Sequence, residues 1–180
     1  MQKFFKSKLA LWVLFFLLSG IIIAQHGINK VGDYEQANPV EVFGYVSTPS
    51  ATACADENTY YHLQGTFTNP ILECFEIVSD TITYKCELAH YVTVNLSGSY
   101  ICDKTGVTVT VAAKKNGVLI SGSQQSVFLK VINESQTISN NFTVTMEYND
   151  NISIWVSHNY TPGTASITAN TLTATLHALR

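Results

Sequence analysis

The residues able to do chemistry in this chain are few and scattered. Its four cysteines, Cys54, Cys74, Cys86 and Cys102, contain no pair spaced C-x2–4-C, and no two histidines are spaced H-x3–5-H. A structural zinc site wraps one ion with such pairs, so metal is not the reading here. An even set of cysteines beyond an export signal reads as two disulfides; of the three connectivities, Cys86–Cys102 with Cys54–Cys74 is set aside because the strand between Cys86 and Cys102 extends about 35 Å, and two stay open. His62, His90, His158 and His177 fall in different strands or turns. Of these, His62 and His90 are placed to approach one another on one sheet, where a polar-face histidine is commonly solvated or at an interface. The acid pairs Glu73 with Glu76 and Asp56 with Glu57 lie in turn-like stretches near cysteines and read as solvated charge, not as an acid–base couple. The loop Tyr148-Asn149-Asp150-Asn151 offers one carboxylate, too few for a calcium site. No G-x-S-x-G elbow, phosphate-binding loop, G-x-G-x-x-G or H-E-x-x-H occurs. The expectation is a non-enzymatic protein with no catalytic residue, no metal and no cofactor.

The elements that must carry these residues are strands. From residue 42 onward, alternating apolar and polar runs are closed by turn residues. The expected strands begin with 42–46 and Thr59–Thr68, where Tyr61, Leu63 and Phe67 share one face and Tyr60, His62 and Gln64 the other. A kinked strand over 74–85 and a clean one over Tyr91–Ile101 follow, the latter with Val92, Val94 and Leu96 inward. Gly106–Lys114 leads into Asn116-Gly117, the strongest hairpin signal in the chain, and returns over 118–132. A second hairpin joins 142–148 to 152–157, and the last strand is Ala165–Leu179. Leu63, Phe67, Val94, Leu96, Val109 and Trp155 are the expected core. No stretch after Ala24 shows a helical stripe, and no repeat is visible. Many short strands without helices imply a two-sheet sandwich or jelly roll. The immunoglobulin pattern is disfavoured because Trp155 follows all four cysteines.

Charge and composition narrow the function. The chain has 180 residues; beyond residue 25 it carries 7 basic and 13 acidic ones, a net charge of 7 − 13 = −6. An acidic surface with no basic run beyond Lys114-Lys115 excludes nucleic acid as a partner. At 46% hydrophobic and 11% aromatic the chain is not disordered. Residues 26–180 hold 20 Thr, 13 Ser and 13 Asn, the mark of exposed strand faces and turns. They also produce five N-x-S/T sequons, at Asn95, Asn133, Asn141, Asn151 and Asn159, several of which chance alone supplies.

The N-terminus sets the compartment. Lys3, Lys6 and Lys8 precede an apolar run that ends at Ala24-Gln25, the form of a secretory signal peptide cleaved after Ala24. The alternative is a retained anchor, with membrane contact through residues 9–24. Those 16 residues would span about 24 Å as a helix, short of the roughly 20 residues a crossing requires. The expected organisation is 1–24 signal peptide or membrane anchor, 25–42 linker or arm, and 43–180 one all-β domain.

Several strings in order resemble the TNF-like, complement-type jelly roll found in phage head fibres, virion spikes and secreted bacterial proteins. They are Gly44-Tyr45-Val46-Ser47, the run 58–69 (NTYYHLQGTFTN), Thr81-Ile82-Thr83-Tyr84, the hairpin 115–123 (KNGVLISGS), 149–156 (NDNISIWV) and Leu176-His177-Ala178-Leu179. The resemblance covers residues 43–179. An export signal and four cysteines are departures from the virion fibre versions. The resemblance implies a homotrimer, with Tyr60, His62 and Tyr91 at the interface and distal loops contacting a receptor or glycan. It implies a secreted, cell-surface or virion-surface module for binding or adhesion. The alternative is a structural capsid or envelope spike, or a penton-associated protein, anchored by the apolar N-terminus. It also implies that the second and fourth strands flank the last one, which pairs Cys54 with Cys86 and Cys74 with Cys102.

Overall fold

A computed structural model of the chain describes residues 40–68, 74–78, 80–161 and 163–179, with 40–47 and 178–179 described through their backbone. All belong to one unit, Pro39–Arg180. The signal or anchor expected over 1–24, and the arm expected over 25–42 as far as residue 39, lie outside the described residues.

The described residues are strands joined by turns. In chain order they are β1 Val40–Pro49, β2 Ala51–Cys54, β3 Tyr61–His62, β4 Gly65–Thr68, β5 Phe75–Val78, β6 Thr81–Tyr84 and β7 His90–Cys102. There follow β8 Val107–Lys115, β9 Val118–Leu119, β10 Gln125–Leu129, β11 Gln136–Met146, β12 Asn151–His158 and β13 Ala165–Leu179. Sheet I has the order β11-β7-β13-β1-β4, with β2 also beside β13. Sheet II has the order β10-β8-β12-β6-β5, with β3 also beside β12 and β9 beside β8. The arrangement is an all-β jelly-roll sandwich. Its first strand starts at Val40, ahead of the boundary expected at residue 43, because Val40–Val42 pair with Leu176–Ala178.

Side-chain alternation decides which residues enter the core. In β7, Val92, Val94 and Leu96 are buried, while Tyr91, Asn95 and Ser97 are exposed. Leu63, Phe67 and Val109 are buried as expected, together with Leu172, Ala174 and Leu176 of β13. Gly98 is buried where β7 approaches β13: a Cβ there would lie 2.7 Å from the Thr171 carbonyl oxygen. At the β8–β9 hairpin, Asn116 and Gly117 adopt φ of 49° and 80°, the left-handed pair that a two-residue turn demands.

Three sequence expectations are corrected. The stretch 59–68 is not one strand. Its first part, β3, pairs with β12 in sheet II and its second, β4, pairs with β1 in sheet I, so the chain crosses between sheets at Leu63-Gln64. The kinked strand over 74–85 is a hairpin, β5 against β6, with Phe75 opposite Tyr84. Trp155 does not join the core: Ile152, Ile154 and Val156 are buried inward, and the period of two turns Trp155 to the other face.

The hairpin also overturns the disulfide pairing. Cys74 and Cys86 sit just outside its first and last residues, at the open end, with Cα atoms 5.0 Å apart, and are bonded to each other. Cys54–Cys86 and Cys74–Cys102 are therefore not formed. That pairing assumed 59–68 to flank the last strand, whereas β13 is flanked by β1, β2 and β7. Cys54, opposite Ala165, and Cys102, opposite Ile167, lie on either side of β13 as buried free thiols.

Candidate functional site

Among the described residues, aromatic, cationic and hydrogen-bonding side chains converge on the solvent face of sheet II. Three neighbouring strands build it. His62 of β3 stands opposite Trp155 of β12, and Trp155 stands opposite Ala112 of β8. These residues point outward because their strand neighbours Leu63, Ile154, Val156, Val111 and Ala113 point into the core. Ala112 has no side-chain bulk, which leaves room for longer side chains to lie over it.

Trp155 is half-buried and held from several sides. Its Nε1–H donates to Ser153 Oγ at 2.8 Å. The His62 ring lies 5.2 Å away, tilted by 32°. Lys114, outward on β8, sets its Nζ 3.7 Å from the indole centroid and 5.8 Å from that of Tyr60. The Tyr60 hydroxyl accepts a hydrogen bond from Gln124 Nε2 at 2.7 Å. His62 Nδ1 is 3.5 Å from Asp80 Oδ2, at the turn of the β5–β6 hairpin, while its Nε2 is sealed from solvent with no hydrogen-bond partner among the described residues. Among the described residues no carboxylate pairs with Lys114. By contrast Lys85 pairs with Glu76 at 3.0 Å, Lys104 with Asp103 at 3.2 Å and Lys115 with Asp150 at 2.6 Å. An ammonium on ring faces is attracted by their quadrupoles but is not neutralised by them.

Of the three residues expected at one interface, Tyr60 and His62 are brought together. Tyr91 is on β7 of sheet I, 65% exposed, and so belongs to the opposite sheet. The same division separates His62 from His90, which instead hydrogen-bonds the Tyr84 hydroxyl through Nδ1. His158 is buried and fully satisfied: Nε2 meets the Cys54 carbonyl at 3.1 Å and Nδ1 accepts from the Tyr160 N–H at 3.0 Å. It carries the proton on Nε2 and serves the fold.

The acids are engaged likewise. Asp56 accepts from the Tyr61 hydroxyl at 3.0 Å, and Glu57 from the Thr161 hydroxyl; Glu73 lies outside the described residues. Asp150 latches the tips of two hairpins. Burial opposes its charge, yet hydrogen bonds from Lys115, the Glu147 N–H and Asn116 outweigh this and hold its carboxyl below the usual carboxylate range. Burial, with Cys102 and Asp103 nearby, pushes the Cys54 thiol up to about 11, and burial raises Cys102 as well. Neither thiol is ionised at neutral pH, so neither is a nucleophile.

Sequence reasoning missed Lys114 and Gln124 as neighbours of Tyr60 and His62. Alternation alone puts Lys114 and Trp155 on outward faces, but their contact depends on β8 lying beside β12, a pairing between segments distant in sequence.

No protein-family model matches the sequence, and none of the curated proteins does. Among solved structures, the Eiger TNF of S. frugiperda superposes with a TM-score of 0.52 at 6% identity, covering 79% of this chain and 93% of that one. Murine APRIL at pH 8.5 gives 0.45 at 7% identity, over 72% of this chain and 99% of that one. PRD1 vertex protein P5 gives 0.44 at 9% identity, over 78% and 96%. The last two values are too low to carry an argument, and the first speaks for topology alone. With its strand order and its two antiparallel sheets, the chain is a jelly-roll module of the TNF-like fold.

Proposed function

We propose that the chain is a non-enzymatic binding or adhesion module, exported or displayed on a virion, that assembles as a homotrimer and recognises a receptor or glycan. The observation that carries this reading is the different chemistry of the two solvent faces. On sheet I, β11, β7 and β13 form cross-strand rows: Thr137–Ser99–Thr171, Ser139–Ser97–Thr173 and Asn141–Asn95–Thr175. Among the described residues, the solvent side of these three strands bears no Asp, Glu, Lys or Arg. Such a face can be dried against a second copy without stranding an ion, and Tyr91 supplies an exposed aromatic at its edge. Sheet II keeps the cationic, aromatic face free for another partner. In this reading Tyr91 stays with the trimer interface, whereas Tyr60 and His62 move to the ligand face. The Cys74–Cys86 disulfide supports an oxidising location outside the cytoplasm.

Light scattering on the chain at micromolar concentration tests the assembly. The expected mass is three chains, falling to one for Asn95→Lys, which buries a charge in the middle of the face. A wild-type mass of one chain would overturn the trimer.

A further inference from the structure

We propose that the solvent face of sheet II binds a carboxylated saccharide, with the carboxylate taken by Lys114. The inference rests on the binding reading above and gives it a site and a ligand class. Lys114 Nζ sits 3.7 Å from the Trp155 centroid and 5.8 Å from that of Tyr60. Trp155 is itself fixed by the His62 ring and by its bond to Ser153, so the ammonium is positioned before any ligand arrives. It has no carboxylate partner among the described residues. Its N–H donors are therefore available, and the group that completes it is an oxyanion.

The neighbourhood says which oxyanion. Lys114 is a single point charge without an arginine fork beside it, which suits one carboxylate better than a phosphate or an acidic cluster. Asp80, beside His62, repels a second anion on that side. Beyond the N-terminal segment the chain has a net charge of −6, which disfavours a polyanionic peptide at long range. Around the one cation lie neutral hydrogen-bonding groups, the Tyr60 hydroxyl and the Gln124 amide, and the rims of two aromatic rings. One carboxylate among hydroxyls, on a ring with apolar C–H faces, is the chemistry of an acidic sugar.

The full chain is titrated by ligand-observed NMR with sialyllactose, digalacturonate, lactose and a tetraglutamate peptide. At least one carboxylated saccharide is expected to bind, with lactose at least tenfold weaker. Lys114→Met should weaken that binding by about tenfold or more, as for loss of a charged hydrogen bond, with a melting temperature lowered by no more than about 4 °C, the share of the lost cation–aromatic contact. Lys114→Arg should restore most of it. Binding of neither carboxylated saccharide, tighter binding of tetraglutamate, or binding indifferent to Lys114→Met would each overturn the proposal. The wider reading is judged separately, by retention of the chain on intact cells. Retention equal for wild type and Lys114→Met overturns this site while leaving a binding function elsewhere; no retention of either protein sinks both.

Discussion

Replacing Cys74 and Cys86 together by serine should destabilise the protein by about 3 kcal/mol while leaving its fold intact. The bridge closes a loop over a sequence separation of 12, and the chain-entropy relation for a loop of that size gives about 3 kcal/mol at 25 °C. The native state should tolerate the loss. The hairpin remains bonded to β12 through Thr81, Ile82 and Thr83, and Phe75, Ile82 and Tyr84 remain buried beneath it. The cost therefore falls on the unfolded ensemble, which gains freedom once the loop opens. Urea unfolding followed by tryptophan fluorescence is the assay. With a slope of about 2 kcal/mol per molar urea, the midpoint should drop by about 1.5 M. Non-reducing peptide mapping of the wild type should find Cys74 joined to Cys86. Cys54 and Cys102, both at 0% exposure, should react with a thiol reagent only after denaturation. A midpoint that moves by less than about 0.3 M, or a map showing Cys54 joined to Cys86, would refute both the hairpin assignment and the energetic argument.

Gly98→Ala should cost about 1–3 kcal/mol by overpacking, since its methyl would meet the Thr171 carbonyl oxygen at 2.7 Å and the Tyr100 hydroxyl at 3.0 Å; a melting temperature equal to wild type would show that the two strands part more easily than this. Asp150→Asn should destabilise by about 1–3 kcal/mol at pH 7, by removing the anion that accepts from Lys115 and the Glu147 N–H. Because the folded-state value lies below the ordinary 3.8, the stability Asp150 contributes is complete above that value and is lost as pH falls through the folded one. Urea midpoints of wild type and variant should thus converge as the pH falls below 3.8, and a gap that stays constant in acid would rule the latch out.

Much of the fold was legible because period-two alternation is enforced by burial. Val92, Val94 and Leu96 had to face one way once Tyr91, Thr93 and Asn95 faced the other, and Asn116-Gly117 fixed a hairpin by backbone conformation alone. The errors share a physical origin. Nothing local marks Leu63-Gln64 as a crossing, since the alternation runs through it unbroken; the switch of sheets is dictated by β12 and β1, which compete for the two halves of one run. The 74–85 stretch read as a kinked strand because Ser79-Asp80 is a weak turn signal, and the disulfide across its ends became visible only once it folded back. Pairing followed strand order, and strand order is a long-range property.

Trp155 is the most instructive error, because the alternation was there to be used. Ile152, Ile154 and Val156 claim the inner face, and a residue between them belongs outside whatever its hydrophobicity. A half-buried tryptophan forgoes only part of the roughly 1.5–3 kcal/mol that full burial of a large apolar side chain supplies. Its place is stabilised only in part by Lys114 and His62, since a cation–aromatic contact at a half-exposed site contributes about 0.5–1 kcal/mol. By contrast, the solvent side of β11, β7 and β13 in sheet I bears no Asp, Glu, Lys or Arg among the described residues. Trp155 thus holds Lys114 on its solvent face, with no carboxylate paired to that cation among the described residues, and it is this contact, not core packing, that the proposed ligand site draws on.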